Sequence, residues 1–268
     1  MTWNPQLVAL DIDGTLVDAN GHLPDEVRDA VRAVVTAGVP VVLSTGRGWT
    51  ATQDVFDQLG LPPGWAVSAN GAVVVNYPPL EIHTSQTFDP SETIRRVVEL
   101  APRALIAVDE GSGWRATGVF PEGELTGPIS YESAEYLGSR PVVRIVVRDP
   151  NGNENDFHAL TTQLGLKDVS FFIGWSCWLD IAPQGIDKAA GLQVVCDELG
   201  VDASDVLAIG DGRNDIEMLE WAGRGVAMGD APPEVQLAAD HVTGTFANGG
   251  TAAELRRWFG QQPATRVA

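Results

Sequence analysis

LVALDIDGTL, residues 7–16, runs from a short apolar segment straight into two carboxylates, with Gly14 and Thr15 directly behind them. Side chains alternate between the two faces of a strand. Asp11 and Asp13 therefore share a site only if the strand ends near Asp11 and the chain turns over Gly14. Two acids at the carboxyl end of a buried strand repel each other and lose hydration. A hard cation such as Mg²⁺, held by carboxylate and carbonyl oxygens, is the usual compensation. Taken alone, the stretch also fits a strand that simply ends in an acidic turn.

Outward from this segment the first third of the chain alternates strand and helix. Residues 39–43, 65–68 and 72–76 read as strands. A helix is expected over 24–37, where Val27, Ala30, Val31, Val34 and Val35 share a face, and another over 50–59. The composition shifts at Tyr77-Pro78-Pro79, which reads as a linker. Beyond it, helices at 91–100 and 156–164 mix with strands at 105–108, 114–117, 142–147, 170–172 and 178–182, an α+β pattern with hairpin-like turns. After Pro183 the earlier rhythm returns, with helices at 188–199, 216–221 and 234–239 and strands at 206–209 and 224–226. The expectation is an α/β protein: a parallel sheet covered on both faces, built from 1–79 and 184–268, and interrupted by an inserted domain at 80–183.

Composition narrows the function. The chain has 36 acidic against 17 basic residues, a net charge of −19, where nucleic acid or an anionic membrane surface would need a basic footprint. A phosphorylated substrate meets the same repulsive field, so local cations must offset it. Cys177 and Cys196 form no disulfide framework, and neither they nor His22, His83, His158 and His241 show ligand spacing. No apolar run approaches the roughly 18–20 residues of a membrane span. The opening MTWNPQ lacks the basic and apolar regions of a signal peptide, so a cytoplasmic protein is expected. GxGxxG and GxxxxGK[ST] are both absent, which argues against dinucleotide dehydrogenases and P-loop NTPases.

Four places set polar residues directly after an apolar strand: Asp11/Asp13, Thr45-Gly46-Arg47, Asn70-Gly71 and Gly210-Asp211-Gly212-Arg213-Asn214-Asp215. Ligands of open α/β sheets bind outside the carboxyl ends of the strands, so these distant segments can converge. Asp215 alone fits an acid in the first turn of a helix. Two separate strand ends that both finish in aspartate fit an Mg²⁺ site better. Lys188 opens a helix, a position mildly unfavourable for a cation. It fits a phosphate counter-ion, and it also fits an ordinary solvated lysine.

DIDGT at 11–15, STGR at 44–47, Lys188 and GDGRND at 210–215 resemble, in order and spacing, the motifs of the haloacid dehalogenase-like hydrolases. NGA at 70–72, LDIAPQGIDKAAGL at 179–192 and NGGTAAEL at 248–255 resemble the Cof-type branch of sugar-phosphate phosphatases. The resemblance implies a doubly wound, Rossmann-like parallel sheet with an α+β cap domain inserted between the second and third motifs. It implies that Asp11 is a nucleophile that becomes an aspartyl-phosphate, and that Asp13, beside it and out of water, is the general acid and base. Thr45, the Gly46 amide, Lys188 and Asn214 would hold the phosphate. Mg²⁺ would be bound by Asp11, the Asp13 carbonyl and Asp211, with Asp215 an inner or outer partner.

The implied activity is Mg²⁺-dependent hydrolysis of small phosphorylated metabolites, with sugar phosphates foremost. Arg47, Asn70, Arg115, Trp175 and Trp178 are the candidates for substrate choice, with Trp114 beside them; the tryptophans equally fit the cap's own core. Two rivals stand. A phosphomutase of the same fold would return the phosphoryl group to its substrate, and a catalytically silent regulator would bind phospho-ligands without turnover. The sequence sets no oligomeric state.

Overall fold

The computed structural model describes residues 3–111, 113–152, 154–165, 169–174 and 178–260. The apolar run Leu7–Leu10 is strand β1, and all four of its residues are fully buried, as a central strand covered on both faces requires. Next along the chain come α1 (Asp25–Thr36), β2 (Val41–Ser44), α2 (Trp49–Leu59), β3 (Gly64–Ser68), β4 (Val73–Tyr77) and β5 (Glu81–Ser85). The expected stripe of α1, Val27, Ala30, Val31 and Val34, is the face it buries.

The insert follows with α3 (Ser91–Leu100), β6 (Leu105–Asp109), β7 (Trp114–Ala116), β8 (Ile129–Tyr131), α4 (Ala134–Leu137), β9 (Arg144–Arg148), α5 (Glu154–Leu164), β10 (Val169–Gly174) and β11 (Trp178–Pro183). The chain then returns through α6 (Lys188–Leu199), β12 (Val206–Gly210), α7 (Ile216–Trp221), β13 (Arg224–Ala227), α8 (Pro233–Ala238), β14 (His241–Val242) and α9 (Gly250–Phe259). Among the described residues no helix is long and apolar enough to cross a membrane.

The main sheet has the order β14-β13-β12-β1-β2-β3-β4-β5. Strands β14 to β3 run parallel, and β4 and β5 add antiparallel at one edge. From β1 the chain winds outward through β2 and β3, then returns to β1's other side at β12. Strand order therefore reverses between β1 and β12, the position at which an open α/β sheet leaves a crevice at its carboxyl edge. Residues that follow β1 and β12, Asp11 and Asp211 among them, must line that crevice.

The insert forms a second sheet, β10-β11-β9-β6-β7-β8, antiparallel except between β7 and β8. Its strands alternate strictly. Ile106, Val108, Ile145, Val147, Leu179 and Ile181 face one way, onto Ile94 and Val97 of α3 and Leu137 of α4. Period two then sends Asp109, Trp114, Arg144, Trp178 and Asp180 to the other face, toward the main sheet.

Several elements depart from the expectation. Tyr77-Pro78-Pro79 is no linker: the chain turns there, and β5 pairs with β4, carrying the main sheet on to Ser85. Strand β5 is an exposed edge with little apolar content, so its pattern is weak. The short elements β8, β14 and α4 were not expected, nor was α9, whose buried stripe is made partly of Thr251, Ala252 and Glu254 rather than large apolar residues.

Candidate active site

The carboxyl ends of β1, β2 and β12 meet at one cavity of about 890 Å³, and Lys188, in the first turn of α6, reaches Asp11 from the buried side. Asp11 follows β1 directly and its amide still donates to the Ile209 carbonyl of β12, so it sits at the last rung of the ladder. The chain then turns at Gly14, whose φ is +77°, where any Cβ would collide with the Asp211 carboxylate. Gly210 plays the same part on β12, since a Cβ there would strike the Asp215 side chain. Both glycines are present because two carboxylates pass close to the backbone there.

Asp215 is fully buried and shapes the second turn. Its Oδ2 accepts from the amides of Asp211 at 3.0 Å and Gly212 at 2.8 Å. Its Oδ1 accepts from Lys188 Nζ at 2.5 Å, and the same ammonium donates to Asp11 Oδ1 at 2.6 Å. Lys188 is entirely buried, so it is no solvated lysine. Asp187, the N-cap of α6, accepts from the Ala190 amide at 2.8 Å and offsets the cost of a cation in the first turn.

Three acids and one ammonium leave a surplus of buried negative charge. Burial lifts Asp11 well above the usual carboxylate range; Lys188 pulls it down, and Asp215, Asp211 and Asp13 push it further up. Asp211 is pushed up to about 7, chiefly by burial and then by Asp215. Burial works against the Lys188 charge, but Asp11 and Asp215 outweigh it and raise the ammonium above its ordinary value. One oxygen each of Asp11, Asp211 and Asp215 lies within 4.8 Å of the others. Hard, closely grouped carboxylate oxygens with surplus negative charge fit a divalent cation such as Mg²⁺.

Thr45, Gly46 and Asn214 line the cavity beside this cluster. Thr45 Oγ1 accepts from the Arg47 amide at 3.1 Å, and Asn214 Nδ2 donates to Asn70 Oδ1 at 2.9 Å. Asp13 departs from the expectation that it lies out of water. Its side chain is 61% exposed and takes a two-pronged hydrogen bond from Arg47, at 2.6 and 2.9 Å.

The insert closes the other side of the cavity with Trp114, Trp178, Arg144 and Asp180. Arg144 Nη1 reaches across to the Gly46 carbonyl at 2.5 Å, its Nε donates to Asp109 at 3.1 Å, and Asp180 lies at 3.3 Å. Burial lifts Asp180 above the usual carboxylate range against the pull of Arg144. Asn70 Nδ2 donates to Asp180 at 3.5 Å, so Asn70 joins the two sheets.

Arg115 does not reach the cavity. Alternation along β7 points Trp114 inward and Arg115 to the opposite face, where it is buried against Glu110 at 2.8 Å, Glu132 at 3.2 Å and the Tyr136 carbonyl at 2.8 Å. It braces the insert and, contrary to the expectation from the sequence, does not line the cavity. Trp175 lies outside the described residues. Asp109, Arg144 and Asp180 went unnoticed in the sequence. Their signal was there: an ionisable residue inside each of the apolar runs LIAVD, VVRIVV and WLDIA is costly unless paired.

A model of the haloacid dehalogenase-like hydrolases matches residues 8–255. The chain belongs to that family. Among its relatives in Bacillus subtilis, the stress response protein YhaX is 30% identical, over 96% of this chain and 94% of its own length. The 5-amino-6-(5-phospho-D-ribitylamino)uracil phosphatase YcsE is also 30% identical, over 94% of this chain and 95% of its own. A solved haloacid dehalogenase-like hydrolase from Bacteroides thetaiotaomicron is 26% identical and superposes with a TM-score of 0.80, covering 95% of this chain and 99% of that one. The fold is thus the α/β core of this hydrolase family with an inserted α+β cap.

Proposed function

We propose that the protein is an Mg²⁺-dependent phosphatase of small phosphorylated metabolites, foremost sugar phosphates. The observation that carries this reading is the meeting of Asp11, Asp211 and Asp215 with the buried Lys188 at the switch point of the sheet, directly beside Thr45, Gly46 and Asn214. A relative that acts on a phosphorylated ribitylaminouracil, as its name states, supports the metabolite class.

In this reading Asp11 attacks phosphorus and forms an aspartyl-phosphate, which splits one hard displacement into two easier ones. Asp13 gives its proton to the leaving oxygen, then takes one from the water that attacks the phosphoenzyme and releases phosphate. Arg47 holds Asp13 at the cavity between these steps. Thr45, the Gly46 amide and Asn214 hold the phosphoryl oxygens, and Lys188 balances their charge, because phosphoryl transfer depends on positioning and charge neutralisation. Mg²⁺ would be held by Asp11, Asp211 and the Asp13 carbonyl, with Asp215 behind them, and would supply further neutralisation of the phosphoryl group. The cap excludes water and faces the leaving group with Trp114 and Trp178.

The test is phosphate release from a panel of phosphorylated metabolites with and without Mg²⁺. Release that needs Mg²⁺ is the expected result. Consumption of substrate without free phosphate would instead indicate a mutase, and no turnover of any ester would contradict the reading.

A further inference from the structure

The leaving-group half of the cavity is acidic, and its bases are already committed. On the cap side the described residues that line it include the carboxylates Glu122, Glu124 and Asp180 and a single base, Arg144. That guanidinium is divided between Asp109 at 3.1 Å, Asp180 at 3.3 Å and the Gly46 carbonyl, and it lies 4.8 Å from the centre of the Trp114 ring. Glu124 pairs with Arg148 at 2.9 Å. Glu122 is exposed and forms no ion pair among the described residues. On the core side Arg47 faces Asp13 at 2.6 Å and Arg213 faces Glu234 at 2.6 Å.

Resting on the phosphatase reading above, we propose that this cavity selects phosphate esters whose leaving group is uncharged or cationic, and rejects those that carry a second anion. A second phosphate or a carboxylate on the leaving group would have to displace an acid from one of these arginines, and would still meet Glu122 and Asp180. Truncating or displacing one partner of a buried charge pair leaves the other uncompensated. Hydroxyls and amines, by contrast, supply the donors that Glu122 and Asp180 lack. The Trp114 and Trp178 walls offer apolar faces to a sugar ring or a planar group. Glu122 and Asp180 are then specificity residues, acting on the leaving group and not on the phosphoryl group.

Matched substrates test this. Glucitol 6-phosphate and 6-phosphogluconate differ mainly by one carboxylate, and glucosamine 6-phosphate adds an amine. Values of kcat/KM are measured with Mg²⁺ for each, relative to acetyl phosphate, at low salt and at about 0.5 M salt, where the field of distant surface charges is screened. The wild type is compared with Glu122→Lys and Asp180→Asn; Glu122 is exposed and unpaired, so its replacement does not endanger the fold. The expected result is a carboxylate-bearing substrate poorer by about tenfold or more, ~1.4 kcal/mol, with the gap kept at high salt. Glu122→Lys should narrow the gap by about threefold or more. Equal values at high salt, or a gap that neither variant changes, would overturn the proposal. If not even acetyl phosphate is hydrolysed, the phosphatase reading itself fails and this inference falls with it.

Discussion

Two buried cations, Lys188 in the core and Arg144 in the cap, each sit between two aspartates. Lys188 lies 2.6 Å from Asp11 and 2.5 Å from Asp215; Arg144 lies 3.1 Å from Asp109 and 3.3 Å from Asp180. The core adds a third acid, Asp211, and among the described residues this is the one group of three carboxylates close enough to share an ion. The cap adds a neutral acceptor instead, the Gly46 carbonyl. A planar guanidinium satisfies several acceptors at once and locks them, whereas a compact ammonium leaves room for a small anion or metal beside it. Pairing a buried charge builds structure in both places. Both networks carry more acid than base, but among the described residues only the core groups three carboxylates closely enough for a metal ion, and it is that metal with Lys188 that can offset the charge of a phosphate.

The largest expected difference between the two networks is in turnover. Asp11→Asn keeps the size of the side chain but removes the nucleophile and a metal ligand. Phosphate release should fall by at least about a thousandfold while circular dichroism stays that of the wild type. Near-normal release would remove Asp11 from the chemistry.

Stability should separate the networks next. Lys188→Met and Arg144→Met each strand two buried carboxylates, at a cost of about 3–5 kcal/mol in chemical denaturation without metal. Mg²⁺ should narrow the gap to the wild type in Lys188→Met, where it can replace the missing charge, and leave that gap unchanged in Arg144→Met, which it stabilises only as much as the wild type. Equal narrowing in both would erase the distinction drawn between them.

The pH dependence follows from Asp211, whose carboxyl is pushed up to about 7 in the folded protein. The folded chain keeps a proton there that the unfolded chain releases near pH 4. The contribution of this group to metal-free stability therefore falls as pH rises from about 4 to about 7, and levels off above. Mg²⁺ competes with that proton, so the rise in Tm it produces should be larger at pH 8 than at pH 5.5. A rise that shrinks with increasing pH would contradict the assignment.

The smallest effect concerns the two faces of the cap sheet. Trp178→Ala, on the cavity face, should lower kcat/KM for a hexose phosphate by about tenfold more than for acetyl phosphate, which barely reaches the cap. Arg115→Met, on the opposite face, should lower Tm and penalise both substrates alike. A selective loss in Arg115→Met would restore it as a substrate contact.

These two residues also mark how far the sequence carries. Strand β1, its acidic end and the turn at Gly14 were legible because an apolar run, two carboxylates and a glycine leave few arrangements. The convergence of Asp211 and Lys188 on that end followed from strand order and from the resemblance of the motifs. The insert was legible only as α+β. Its sequence shows arginines at 115 and 144 with equal plainness, and which one faces the cavity depends on a register of period two that hydropathy alone did not fix. The exposure of Asp13 was missed because its partner, Arg47, comes from another strand end. Edge strands β5 and β14 were missed because little of them is buried, so little of their pattern is apolar.

The claim that a third grouped carboxylate, Asp211, separates the core network from the cap network is tested most directly by calorimetric titration of Mg²⁺ into the wild type, Asp211→Asn and Asp180→Asn. One site in the wild type, lost in Asp211→Asn and kept in Asp180→Asn, is the predicted result. No binding to the wild type, or binding that Asp180→Asn abolishes while Asp211→Asn retains it, would contradict the account.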